Sequence, residues 1–198
     1  MAVEVWWSSL AAADVELLAV LDATERARVR SLERPADRGR SLVGAALLRV
    51  AAAAHLGAEP DQVVVDRTCS ECGRPHGAPR IVGPGGPVPW VSVSHSGVLV
   101  VVALSPHGPV GVDVQRVSDL PDAGADAHAA FEWVRREAVV KARAGARTGA
   151  PVPGRPDLRP AAEEDEVTTE LEPPVTGYAA ALITLGRPGA EHTSRHWP

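Results

Sequence analysis

Four short stretches of the sequence place reactive side chains at spacings that a folded backbone can bring together. In Val110-Gly-Val-Asp-Val-Gln115, strand alternation sets Val110, Val112 and Val114 on one face and Gly111, Asp113 and Gln115 on the other. An acid in mid-strand is costly to bury unless it is paired or bound to a metal, and the neighbouring glycine permits close approach. In Phe131 to Gly145, Trp133, Glu137 and Lys141 recur at i, i+4, i+8 and share one helix face. Phe131, Val134, Ala138 and Ala142 form a separate, core-facing stripe. Lys141 is the single lysine of a chain with nineteen arginines, and its compact ammonium can donate a proton or meet a phosphate as a point charge. Ser94, His95 and Ser96 end the strand that starts at Trp90, where side chains and amides can meet a ligand. Arg38 and Arg40 fall in the first turn of a helix, where cations oppose the dipole, a placement that points to an anion nearby. Each stretch also has a plainer reading: an edge-strand aspartate, a surface Glu137–Lys141 pair worth ~0.3–0.5 kcal/mol, a turn histidine, solvated arginines. No G-x-S-x-G elbow accompanies the serines, which argues against a serine hydrolase.

Cys69 and Cys72 form a C-x-x-C followed by Gly73, Pro75, His76, Gly77 and Pro79. The glycines and prolines open no helix, so the pattern departs from the usual redox motif. A structural zinc site needs four ligands; Cys69, Cys72 and His76 supply three. Loop cysteines, a zinc site and redox chemistry all stay open at this level.

These stretches must be positioned by an α+β frame. Residues 1–10 alternate as a first strand, and 13–34 have a helical pattern that Pro35 breaks. A helix follows from about Arg38 to Leu56, capped by Asp37, with Leu42, Ala45, Ala46, Arg49, Val50 and Ala53 as its stripe and Gly57 as its end. Short strands are expected at 62–66 and 80–82, then at 90–94 and 98–105 around a His95-Ser96-Gly97 turn, and at 109–114. A helix from about Ala129 to Ala144, a Gly145–Asp165 loop, and strands at 167–171 and 177–185 complete the frame. The tail from Arg187 is expected to fray. The sequence thus divides into an α+β half at 1–105, a second at 106–186, and a tail at 187–198.

At 198 residues with 45% apolar content, the chain can bury a core. The net charge of −5 weighs against a nucleic-acid binder, and no apolar run approaches a membrane span. The start carries no signal-peptide pattern. We expect a soluble, cytoplasmic monomer. The excess of arginine, alanine, glycine and proline, with no asparagine, fits a GC-rich genome.

Taken together and in order, the motifs resemble the 4′-phosphopantetheinyl transferases of the large, Sfp type. The matching blocks are Arg40-Ser-Leu-Val-Gly44, Cys69 to Pro79, Ser92-Val-Ser-His-Ser96, Gly111 to Gln115, Trp133-Val-Arg-Arg-Glu137-Ala-Val-Val-Lys141, and the closing strand near Tyr178. The likeness spans about residues 3 to 186, and the last two enzyme-like blocks, 111–115 and 133–141, are the most specific.

The resemblance implies a pseudo-dimer of two similar halves, each a small mostly antiparallel sheet with a long helix, binding coenzyme A and Mg²⁺ (or Mn²⁺) in the cleft between them. It implies transfer of phosphopantetheine to a serine of an apo acyl or peptidyl carrier protein, with release of adenosine 3′,5′-bisphosphate. Asp113, Gln115 and Glu137 are then the metal ligands, and Glu137 and Lys141 the catalytic pair. Arg40, Gly77, Ala78, Pro79, Ser94, His95 and Lys141 are the coenzyme-binding residues. Three departures stand out: Gln115 replaces a common second acid, Ala78 replaces a phosphate-binding lysine with Arg74 or Arg80 as the nearby substitute, and the 116–130 connection is short. They leave a catalytically impaired coenzyme A-binding relative as one alternative, and a small zinc-dependent nucleic-acid module as another.

Overall fold

The computed structural model describes residues 2–69, 71–83, 87–120, 126–148, 166–186 and 191–198. Its strands are β1 (Val3–Ser9), β2 (Val64–Asp66), β3 (Arg80–Val82), β4 (Trp90–Ser96), β5 (Leu99–Ser105), β6 (Val110–Arg116), β7 (Glu166–Leu171), β8 (Tyr178–Leu185) and β9 (His192–His196). The helices are α1 (Ala23–Ser31), α2 (Pro35–Leu56) and α3 (Ala127–Thr148). One sheet runs β4-β5-β1-β9, a second β6-β8-β7, and β2-β3 form a separate ribbon. The α+β class expected from the sequence holds: each main sheet is paired with one helix of 22 residues.

The alternation of the strands decides the layering. Val100, Val102 and Leu104 of β5 and Trp6 of β1 face α2, packing on Val43, Leu47, Leu48 and Ala51. The opposite residues, Leu99, Val101, Ala103, Val3, Val5 and Trp7, meet Val110, Val112 and Val114 of β6 and Leu182 of β8. The far side of β8 carries Ala181, Ile183 and Leu185, which pack on Val134, Ala138 and Ala142 of α3. The result is four layers: α2, the first sheet, the second sheet, α3. With one sheet face always buried against the other sheet and one against a helix, nearly continuous apolar strands such as β5 are required.

The two sheets are stitched by side chains rather than by a backbone ladder. Ser92, Ser94 and Ser96 of β4 accept the backbone N–H groups of Val112, Val114 and Arg116 along the free edge of β6, at 3.0, 3.3 and 3.0 Å. The two-residue repeat of serine matches the two-residue repeat of outward N–H groups on a strand, so buried donors that no strand pairs are satisfied.

Several elements differ from the sequence reading. Pro35 starts α2 instead of ending its predecessor, because a first-turn residue needs no N–H; Asp37 lies within the first turn instead of capping it. Residues 13–34 divide into a 3₁₀ turn (Val15–Val20) and α1, the latter opened by a capping box of Asp22 and Glu25. The β4–β5 turn is Gly97-Val98, so His95 lies on the strand. Gly97 has φ +53°, and a Cβ there would lie 2.2 Å from the Tyr178 hydroxyl. α3 runs on to Thr148, past the expected loop start at Gly145; residues 149–165 of that loop and 121–125 of the short connection lie outside the described residues. The tail is not frayed: β9 pairs in parallel with β1, and Trp197 packs on the α2 side of the core. No helix among the described residues is long and apolar enough to cross a membrane.

Candidate active site

Where the layers meet, α1, α2, β4, β6 and α3 enclose a cavity of about 270 Å³. Its floor is Asp113 of β6, 6% exposed. Gly111, two residues earlier on the same face, lets α3 pass directly over the strand: a Cβ there would stand 1.9 Å from the Ala138 carbonyl oxygen. That close passage places Lys141, one turn along α3, over Asp113. The ammonium donates to Asp113 Oδ1 at 2.6 Å and to the Val112 carbonyl at 3.2 Å. Ser94 Oγ donates to the same Oδ1 at 2.6 Å. The bland Glu137–Lys141 pair is therefore not what Lys141 forms; its partner is the buried acid across the strand.

The walls are cationic. Arg28 of α1, Arg67 and His95 line the cavity with Lys141. Arg67 is pushed down to about 10, by burial first and by the nearby charge of Arg28 second, with Glu25 partly opposing. Two guanidinium groups crowded into one partly buried space favour an anion between or beside them. His95 is held below the ordinary histidine range by burial, which its own backbone hydrogen bond partly opposes, and then by the charges of Arg40, Lys141 and Arg28. Its ring is open to solvent yet has protein on most sides, as befits a residue at a cavity mouth. Arg28 is set in place by a buried network beneath it. Arg49 of α2 donates to Glu25 at 2.7 Å, to the Val63 carbonyl at 2.5 Å and to Asp22 at 3.0 Å, binding α1 to α2.

The residues singled out from the sequence divide into two groups. Ser94, His95, Asp113, Gln115 and Lys141 line one cavity. Arg40 donates to the Gly97 carbonyl at 2.8 Å and pairs with Asp37, so it braces the β4–β5 turn at the cavity's edge. Glu137 is exposed on α3, one turn before Lys141, and does not line the cavity. Gly77, Ala78 and Pro79 are half-buried in the β2–β3 loop, and the Gly77 N–H donates to the Arg67 carbonyl at 2.7 Å. Of the arginines near Ala78, Arg80 pairs with Asp66 and Arg74 is exposed away from the lining, whereas Arg67, eleven residues before Ala78, lines the cavity. Arg28 and Arg67 were both missed from the sequence. Among nineteen arginines neither carries a distinguishing spacing, and only the folded loop and α1 bring them together.

The donor set suits a hard divalent cation. Asp113 and Gln115 line the cavity from the same face of one strand, and hard cations prefer oxygen ligands of the kind both side chains carry. Asp113 already draws a cation, the Lys141 ammonium, to its carboxylate.

Residues 5–107, just over half of the chain, match the family model described as 4′-phosphopantetheinyl transferase, N-terminal. A protein of Synechocystis sp. named as a 4′-phosphopantetheinyl transferase is 34% identical over 97 residues, covering 49% of this chain and 37% of its own length. A phosphopantetheinyl transferase of Thraustochytrium sp. is 33% identical over 121 residues, covering 58% of this chain and 40% of its own length. The chain spans about two fifths of the length of these curated relatives.

Proposed function

The chain belongs to the 4′-phosphopantetheinyl transferase family, and from that premise we propose that it moves phosphopantetheine from coenzyme A to a serine of an apo carrier protein, as a member of the large, two-half type. The observation that carries this reading is the cavity itself. A buried acid and the only lysine meet at 2.6 Å on its floor, and Arg28, Arg67 and His95 converge on its walls. Such a site offers a polyanion several cations while keeping one carboxylate for a divalent ion.

In this proposal coenzyme A sits with its phosphates toward Arg28, Arg67, His95 and Lys141, and Arg40 braces the rim. Asp113 and Gln115 would hold Mg²⁺, or Mn²⁺, from the cavity, with Glu137 completing the set from the solvent side of α3, and the ion would supply compensation of the pyrophosphate charge. The carrier serine oxygen bonds to the phosphorus attached to pantetheine, the pyrophosphate P–O bond breaks, and adenosine 3′,5′-bisphosphate leaves. Glu137 takes the serine proton, directly or through a water. Lys141 exchanges Asp113 for a phosphoryl oxygen and stabilises the charge on the leaving bisphosphate. Ser94 fixes the Asp113 carboxylate throughout.

The test is mass spectrometry of apo acyl and peptidyl carrier proteins incubated with the chain, coenzyme A and Mg²⁺. A gain of one phosphopantetheine is expected, reduced by roughly 10²-fold in Glu137→Gln and abolished in Asp113→Ala. Coenzyme A binding without any loading would favour the catalytically impaired reading, which the exposed position of Glu137 and the neutral Gln115 make the runner-up.

A further inference from the structure

The β2–β3 loop delivers Arg67 to the cavity, and its tip is exposed to solvent. Residues 71–76 are all exposed, and none of them enters a core cluster. At its base the Asp66 carboxylate pairs with Arg80. Inside it the chain folds back in a tight knuckle: the Gly73 N–H donates to the Cys69 carbonyl, the Cys69 N–H to the Arg74 carbonyl, and the His76 N–H again to the Arg74 carbonyl, each at 2.9 Å. This folding turns three side chains inward on one another. The ligand atoms of Cys69, Cys72 and His76 lie within 4.8 Å of each other, and Cys72 Sγ stands 2.9 Å from His76 Nε2.

We propose that Cys69, Cys72 and His76 form a zinc-binding clip that holds the loop bearing Arg67, with a water as fourth ligand. Two sulfurs and one imidazole are the soft-to-borderline set that zinc selects over magnesium. Bond lengths of about 2.3 Å for Zn–S and 2.0–2.1 Å for Zn–N place tetrahedral ligands roughly 3.5–3.8 Å apart. The three atoms are already gathered to about that scale, and the Cys72–His76 contact need open by less than ~1 Å. Both cysteines are free. A cross-link across this loop supplies what burial does not, because metal binding and ordering of an otherwise unsupported segment are one equilibrium. This clip is distinct from the transferase reading: it uses none of the cavity residues, and its occupancy is read without coenzyme or carrier.

The experiment titrates the whole chain, reduced and metal-free, with Co²⁺ and then Zn²⁺. One equivalent of Co²⁺ is expected to give a thiolate charge-transfer band with tetrahedral d–d bands, and one equivalent of Zn²⁺ to bleach both. Cys69→Ser/Cys72→Ser is expected to abolish the signal, and His76→Ala to weaken binding by roughly 10-fold or more. The three side chains are at the surface, so circular dichroism should show the variants folded. Zinc is also expected to slow amide exchange across 67–80 in the wild type only. Absence of a thiolate–cobalt band in the wild type, an equal band in the double variant, or a metal-indifferent Cys69–Cys72 disulfide as the resting state would each overturn the proposal.

Discussion

Ser94 and Asp113 share a hydrogen bond of 2.6 Å in which one hydroxyl serves two structures at once. Its proton goes to the buried carboxylate, and its lone pair receives the Val114 N–H of the sheet-to-sheet seam. Ser92 performs only the second task, for Val112. Ser92→Ala and Ser94→Ala should therefore lower stability by similar amounts, about 1–3 kcal/mol for an orphaned buried N–H. Only Ser94→Ala should also slow carrier loading. Thermal melts beside loading rates check this, and equal rates in the two variants would remove Ser94 from the site.

Lys141 is expected to resist even a charge-conserving change. Its Nζ bridges Asp113 Oδ1 and the Val112 carbonyl as a compact point charge, a contact whose reach and shape a planar guanidinium does not reproduce. Lys141→Arg should cut loading at saturating coenzyme A by roughly tenfold or more, with the melting temperature little changed. Wild-type rates would show that the single lysine is an accident of composition.

Arg28→Ala and Arg67→Ala should each weaken coenzyme A binding and flatten its dependence on salt, since each removes a cation from a partly enclosed anion site. A smaller loss against dephospho-coenzyme A than against coenzyme A would assign that arginine to the 3′-phosphate. Calorimetry giving unchanged affinity for both ligands would exclude the pair.

His95 carries the pH dependence of binding. Burial and neighbouring cations hold its pKa below the usual histidine value, so the free protein keeps it neutral near pH 7. A bound polyanion favours the imidazolium and raises that pKa, so binding takes up a proton and tightens as pH falls below neutrality. The same depressed pKa has the opposite effect on folding: stability is full above the unfolded-state value and declines as pH falls below it. Calorimetry in buffers of different ionisation enthalpy should show proton uptake, and His95→Ala should abolish it.

Gly111→Ala tests whether the passage of α3 over β6 positions the site. The added methyl would meet the Ala138 carbonyl and the Ala142 N–H of the helix, both backbone atoms that cannot rotate away. The helix must lift, at a cost of about 1–3 kcal/mol or more, and Lys141 lifts with it. Loading should fall further than the loss of folded protein accounts for.

Most of this arrangement was legible because it follows local period. Alternation alone separated Asp113 from the valines of β6, and helical spacing separated Lys141 from the core stripe of α3. Ser94 and Ser96 gave the right segment with an incomplete meaning: they read as ligand-facing, whereas the unpaired edge of β6 that they and Ser92 satisfy exists only after the sheets dock. Arg67 was invisible for a similar reason, since a loop's tertiary path has no sequence period. Glu137 shows the converse. Its spacing from Lys141 is helical, but the four-residue step leaves it outside the cavity while Lys141 reaches in.

The pairing of β9 with β1 also bears on solubility. Without β9, the Val3–Ser9 strand would present a row of unpaired amides and carbonyls beside Trp6, which Arg195 now covers at 5.2 Å. Exposed strand borders of that kind recruit copies of themselves. The last residues therefore act as a guard against self-association, and a chain shortened at Gly186 should form concentration-dependent oligomers while its cavity remains assembled.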